Sequence, residues 1–244
     1  MSFLLSLALA DAHPYQVTFW TAAGVAALFY ATLAHAENRS FALLAASLLA
    51  SLLAIPWVNS WIALITPHVM DDTLAALDGG AAPVFYRWVL AHGAIHLLLA
   101  TVYDSLPFFI CVAFLLSDQR SAFLRCFVLA GLAAPICYLA VPAVGPAHIG
   151  DPLAPRNCMP SLHIAWTLLG AGFIRPRIRW IALPFLLLMM TAVIGTGEHY
   201  LIDVVLAVPY TFAVLCVEES VAKWIAVARP GLTGEVIPVA GCHD

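Results

Sequence analysis

Charge is scarce in this chain. Only 10% of its 244 residues are Asp, Glu, Lys or Arg, against about 25% in an ordinary soluble domain. That shortage excludes a soluble globular protein and a disordered chain. The net charge of −4 leaves no polybasic surface, which excludes binding to nucleic acid through basic patches. No Lys or Arg precedes Arg39, so the apolar opening MSFLLSLALA lacks the basic n-region of a cleaved signal peptide. The six cysteines, at 111, 126, 137, 158, 216 and 242, include no CxxC pair. Most lie inside apolar runs and read as small buried hydrophobes. The spacing of Cys137 and Cys158 allows them a common side of a membrane but does not specify a bridge. There is no sustained internal repeat and no low-complexity linker.

Hydrophobic residues, by contrast, make up 63% of the chain, and the mean hydropathy is +0.96. The apolar stretches are long and continuous, near 15–36, 40–66, 102–118, 122–143, 160–174, 180–196 and 199–217. A membrane helix needs about 20 apolar residues, whereas a barrel strand would alternate over about 10. The pattern therefore predicts an all-α, multi-span membrane protein: a six-helix core plus an extra N-terminal span. The fifth stretch is short, and Pro56 and Pro184 are candidate kinks in the second and sixth. Segment 84–101 mixes Arg87, His92 and His96 with apolar residues and reads as an amphipathic interfacial helix.

Eight of the ten basic residues (Arg39, Arg120, Arg125, Arg175, Arg177, Arg179, Lys223 and Arg229) fall at alternate loops and the C-terminal tail. The positive-inside rule makes that side cytoplasmic. Arg87 and Arg156 alone fall on the other side, with loops 67–83 and 144–159 and with Asp71, Asp72, Asp78 and Asp151. The resulting organisation is an N-terminal span over 1–39, a membrane-embedded core over 40–217 and a cytoplasmic tail over 218–244.

Ionisable groups at membrane depth are costly and mark candidate sites. Two clusters map to the non-cytoplasmic side. In the first, Arg156-Asn157-Cys158-Met159-Pro160-Ser161-Leu162-His163 runs into the apolar helix IAWTLLGAGF. Pro160 or Ser161 suits a helix start, where free N–H groups, a hydroxyl and an Arg fork form an anion cradle. The bland alternative is a capped helix with an incidental His163. In the second, His199 and Asp203 stand four apart at the start of the last span, hence on one helix face. The carboxylate can take one imidazole N–H and leave the other nitrogen as a nucleophile. The alternative is a structural His–Asp pair. Two such clusters on one side of the membrane favour a shared active site.

Other groups carry weaker signals. His92 and His96 have a metal-binding spacing but lack a clear third ligand, so interfacial histidines are the simpler reading. Asp71-Asp72 reads as an exposed acidic loop rather than a cation site. Asp104 suits the cap of the next span or the lining of a substrate entrance. His148 reads as a solvated loop residue that can reach a head group. Glu198 raises the basicity of His199 or only starts the helix.

Pro160-Ser161-Leu162-His163 and His199-Tyr200-Leu201-Ile202-Asp203 resemble the two later motifs of the type 2 phosphatidic acid phosphatase superfamily. Leu162 in place of the usual Gly, the His-Tyr-x-x-Asp-Val pattern and Tyr138-Leu-Ala-Val-Pro142-Ala-Val-Gly145-Pro146 look most like the branch of inositol phosphorylceramide and sphingomyelin synthases. The resemblance covers roughly residues 100–217. The family's Lys-x6-Arg-Pro motif has no match before Ser161, and its Ser-Arg pair would fall at Ala192-Val193. Arg156 is the best substitute cation, with Arg87 second.

The resemblance implies metal-independent phosphoryl transfer on a lipid phosphate through a phosphohistidine, without a cofactor. His199 would be the nucleophile, Asp203 its positioning partner and His163 the acid and base. Arg156 and Ser161 would bind phosphate, and Tyr138, His148, Asp104 and Tyr200 are candidate substrate contacts. The partners implied are a lipid phosphate in the outer leaflet and water or an alcohol as acceptor. A lipid or proton-coupled transporter using His/Asp relays is the competing reading, and an inactive membrane scaffold the third.

Overall fold

The computed structural model describes residues 39–65, 68–151 and 154–228. The expected N-terminal span and the tail beyond 228 lie outside the described residues. The fold is all-α: among the described residues the sole β feature is an isolated antiparallel bridge between Ser117 and Ile174. The helices are α1 (Arg39–Ile65), α2 (Asp71–Leu77), α3 (Ala81–Leu90), α4 (Gly93–Asp104), α5 (Leu106–Leu116), α6 (Arg120–Ala140), α7 (Leu162–Phe173), α8 (Ala182–Gly195) and α9 (Leu201–Ala228).

α7 is the hub, packing against α5, α6, α8 and α9. Its sequence LHIAWTLLGAGF carries apolar residues on all sides, as a helix surrounded by other helices requires. Gly170 lets α5 come close, since a Cβ there would lie 2.6 Å from the Phe109 ring and 3.2 Å from the Ala113 Cβ. α1 packs on α6, and α3 and α4 pack on α8. The outward faces are apolar: Leu132, Ile136, Leu183, Leu187, Val205, Phe212 and Trp224 are all exposed. In water such a belt would drive aggregation, whereas in lipid it is the ordinary outer surface.

The helices are less uniform than seven equal spans. α6 and the Leu201–Trp224 part of α9 are long and apolar enough to cross a membrane. α5, α7 and α8 are shorter apolar helices. Segment 84–101 is not one interfacial helix. It divides between α3 and α4, which bend by 114° at Ala91-His92 and together pass as a broken span or re-entrant loop. His92 sits at the break as the N-cap residue of α4, with its ring turned back so that Nδ1 lies 2.7 Å from the Trp88 carbonyl, while His96 lies within α4. Asp104 ends α4 rather than capping the next helix; the N-cap position of α5 is Ser105, whose hydroxyl turns back to the Val102 carbonyl. Pro184 lies in the first turn of α8, where its missing N–H costs nothing. α1 runs through Pro56. α9 continues past the expected boundary at 217, because Glu218 is pinned by Arg125 (Nη2–Oε1 2.6 Å) and Glu219 pairs with Lys223 one turn on.

The bundle has two chemically distinct ends. At one, Arg120 donates to the Phe114 and Leu115 carbonyls that terminate α5, and Arg179 donates to the Gly172 carbonyl near the end of α7. Cations there meet the negative ends of the helix dipoles. Arg175 pairs with Asp118 at the same end, 2.8 Å apart. The opposite end gathers the buried polar residues Asp71, Arg156, Ser161, His199 and Asp203.

Candidate active site

Two helix starts, of α7 and α9, frame the site, and Asp71 and Asp78, at the two ends of α2, hold the start of α9 and the 144–145 segment beside it. Asp78 accepts from the N–H groups of Leu201 (2.6 Å) and Ile202 (3.0 Å), satisfying orphan donors at the start of α9. Asp71 is not an exposed loop acid. It is 3% exposed and accepts from the N–H groups of Val144 (3.2 Å) and Gly145 (2.9 Å) and from the Tyr200 hydroxyl (3.0 Å). Asp72 beside it is exposed, as expected. Gly145 has φ +87° and lies so close to the 197–198 backbone that a Cβ would be 2.7 Å from the Glu198 carbonyl carbon. Ala147 N–H donates to the Gly197 carbonyl (2.9 Å), closing the 144–148 loop onto the segment that carries His199.

Ser161 is the N-cap of α7, as its residue type predicts, but its hydroxyl accepts from Ile164 N–H at a long 3.5 Å. Its own N–H reaches across to the Asp203 carbonyl (3.3 Å), tying the two motifs together through backbone. At the start of α9, Asp203 Oδ2 accepts from Tyr200 N–H (2.7 Å), the carboxylate half of a capping box.

These ties bring the two imidazoles together. The rings of His163 and His199 lie edge to face, with centroids 6.1 Å apart. His199 is buried, and its Nδ1 is 3.5 Å from Asp203 Oδ2. That is long for a hydrogen bond, as such pairs often are before substrate binds. Because Nδ1 faces the carboxylate, Nε2 is the nitrogen left for chemistry. His163 is half-buried and stacks on Tyr103 of α4, centroids 3.9 Å apart.

Sequence reasoning overlooked a neighbour of this pair. Cys158 is buried, and its thiol donates to Asp203 Oδ2 at 2.8 Å, with His199 Nδ1 3.6 Å away. Burial first, then the charge and hydrogen bond of Asp203, push the thiol well above the ordinary cysteine range, so it stays a donor. Cys158 is therefore not one more apolar filler. Its sequence offered no metal or redox spacing to mark it. Tyr103 was overlooked and Asp71 was misread as an exposed loop acid for the same reason, since their partners lie dozens of residues away. Cys137 and Cys158 are both free thiols.

The other candidates divide. Arg156 is 6% exposed and its Nη1 donates to the Ala154 carbonyl (2.7 Å), folding the guanidinium into the loop ahead of Cys158. Arg87 is exposed on α3. His148 is not simply solvated: its Nε2 is 3.0 Å from Glu198 Oε1, so this pair forms part of the rim beside His199. Tyr138 is 1% exposed within the helical core, and Tyr200 is fully buried with its hydroxyl committed to Asp71. Both are packed inside rather than presented to a ligand.

Residues 149–217 match the family model of the PAP2 superfamily. That stretch holds both motifs and all four of His163, His199, Asp203 and Cys158. The match supports a phosphatase-type membrane enzyme of that superfamily. No curated protein and no solved structure matches the chain.

Proposed function

We propose that the protein transfers the phosphoryl group of a lipid phosphate through a phosphohistidine, with no metal. What carries this reading is the approach of two imidazoles, one in the first turn of α7 and one in the segment that leads into α9, with ring centroids 6.1 Å apart and one ring backed by a buried carboxylate. His199 Nε2 attacks phosphorus in line. The ester bond to the leaving oxygen breaks, and His163 gives that oxygen a proton. Asp203 holds the His199 tautomer and stabilises the cationic ring. In the second half, His163 takes the proton of the acceptor hydroxyl, the acceptor oxygen attacks phosphorus and the P–N bond to His199 breaks. Arg156, the Ser161 hydroxyl and the first N–H groups of α7 stabilise the equatorial oxygens. With water as acceptor the enzyme is a lipid phosphate phosphatase; with an alcohol it is a head-group phosphotransferase. The resemblance of Leu162 and the His-Tyr-x-x-Asp-Val pattern to the sphingolipid synthase branch favours the alcohol.

The basic end of the bundle is the cytoplasmic end, by the positive-inside rule. The site then opens at the opposite interface, where a lipid can present its phosphate while its tails stay among the helices.

The test is lipid mass spectrometry on purified protein incubated with labelled phosphatidic acid, phosphatidylinositol, phosphatidylcholine and ceramide. A dephosphorylated lipid or an exchanged head group is expected, persisting in chelator, inhibited competitively by vanadate and lost in His199→Ala. Normal turnover in His199→Ala sinks the nucleophile assignment. Movement of lipid across liposomes without chemical change would point to the transporter instead.

A further inference from the structure

We propose that Cys158, His199 and Asp203 form an inhibitory zinc site inside the catalytic centre. This rests on the phosphohistidine reading for its effect on turnover, but not for the binding itself. Three donors of different chemistry converge: a thiol, an imidazole nitrogen and a carboxylate oxygen. Sγ of Cys158 is 2.8 Å from Oδ2 of Asp203 and 3.6 Å from Nδ1 of His199, and that Nδ1 is 3.5 Å from Oδ2. Among the described residues this is the one group of three His, Cys, Asp or Glu donors close enough to hold a metal.

The spacing suits zinc. Bonds of about 2.3 Å to sulfur and about 2.0 Å to nitrogen or oxygen place tetrahedral ligand atoms about 3.3–3.6 Å apart. Two of the three separations already meet that value. The third opens by several tenths of an ångström once the thiol proton leaves and the S–H···O hydrogen bond is gone. A mixed S, N, O donor set favours zinc over magnesium or calcium, which prefer oxygen alone. A second observation points the same way. Asp203 Oδ1 is buried and has no hydrogen-bond partner among the described residues, so the carboxylate has acceptor capacity that the protein does not use.

Binding is balanced simply. Zn²⁺ takes the Cys158 sulfur and releases its proton to solvent. It takes the lone pair on His199 Nδ1, and a water or substrate oxygen fills the fourth corner. Inhibition follows from the tautomer. A neutral imidazole that gives Nδ1 to a metal carries its proton on Nε2, and Nε2 is the atom that must attack phosphorus. The metal also removes Asp203 from His199.

Cobalt titration of the full-length protein in detergent micelles tests the site without any lipid substrate. One Co²⁺ per chain is expected, with the intense visible bands of four-coordinate cobalt and a sulfur-to-metal absorption band, both displaced by Zn²⁺. Cys158→Ser should lose the sulfur band, while Cys137→Ser keeps it. Should Cys158→Ser fail to fold, His199→Ala replaces it and must lose the four-coordinate spectrum. In the lipid assay, the zinc concentration for half-inhibition should rise at least tenfold in Cys158→Ser, each protein being compared with its own metal-free rate. No sulfur band in the wild type, or an unchanged band in Cys158→Ser, overturns the site. Inhibition equal in wild type and Cys158→Ser overturns the inhibitory role. A cobalt spectrum without metal-free turnover would instead fault the enzymatic reading and leave the metal site standing.

Discussion

Asp71 offers the sharpest test of how the site is held. It is 3% exposed and accepts from Val144 N–H, Gly145 N–H and the Tyr200 hydroxyl. Asp71→Ala strands three donors at once. Each buried donor left unsatisfied costs about 1–3 kcal/mol. Partial hydration at this end of the bundle lowers the sum, so the expected loss is about 3–5 kcal/mol. That is a large share of a typical stability of about 5–15 kcal/mol. Asp71→Asn keeps one good acceptor and should lose about 1–2 kcal/mol. Tyr200→Phe removes one donor and should lose about 1 kcal/mol. Reversible unfolding in mixed micelles reads these values, and a double-mutant cycle between Asp71→Ala and Tyr200→Phe should show coupling of about 0.5–3 kcal/mol. Turnover should fall with Asp71→Ala even where the protein remains folded, because Tyr200 adjoins His199. A loss below about 0.5 kcal/mol, the range of ordinary surface changes, would refute the clamp and restore Asp71 to the exposed loop that its sequence suggests.

His163→Ala should lower turnover by about 10²–10⁴-fold, the usual contribution of a general acid and base, with unchanged thermal unfolding; a rate within a factor of three of wild type would remove His163 from the mechanism. Gly145→Ala combines a left-handed backbone (φ +87°) with a Cβ pressed onto the Glu198 carbonyl, so a loss above about 1–3 kcal/mol is expected, together with weakened turnover as the His199 segment shifts. Circular dichroism melting would check it. At the basic end, Arg125→Ala leaves Glu218 buried without the two N–H groups that Arg125 Nε and Nη2 donate to its Oε1. Arg125 is itself half-exposed, which screens the pair, so about 1–2 kcal/mol is expected, and Glu218→Gln in the same background should recover part of it.

The helical class and the membrane setting were legible because they follow from composition and run length, which are local properties. Ser161 as a helix N-cap was legible because capping is a short-range rule, but the shared helix face expected for His199 and Asp203 does not form: α9 starts at Leu201, and His199 meets Asp203 from the segment before the helix. The shortness of α7 was legible in its apolar run, whereas the short α5 and α8 and the α3–α4 break were not. Hydropathy reports how apolar a segment is, but neighbouring helices decide where its backbone turns. Asp71 illustrates the limit most clearly. Its sequence neighbourhood is polar and mobile-looking, and its ligands come from residues 144, 145 and 200.

From the sequence alone came an all-α membrane chain, a basic end and a polar end, and two histidine clusters on one side, since each depends on residue type and order along the chain. Tertiary structure alone decided that the imidazoles meet edge to face, that Tyr103 stacks on His163, that Asp71 ties the 144–145 segment to Tyr200 while Asp78 caps α9, and that a thiol shares the Asp203 carboxylate. The physical reason is distance in sequence. Hydrogen bonds and ligand geometry depend on ångström separations between residues 45 and 129 positions apart, and no one-dimensional pattern encodes such separations until the helices have packed.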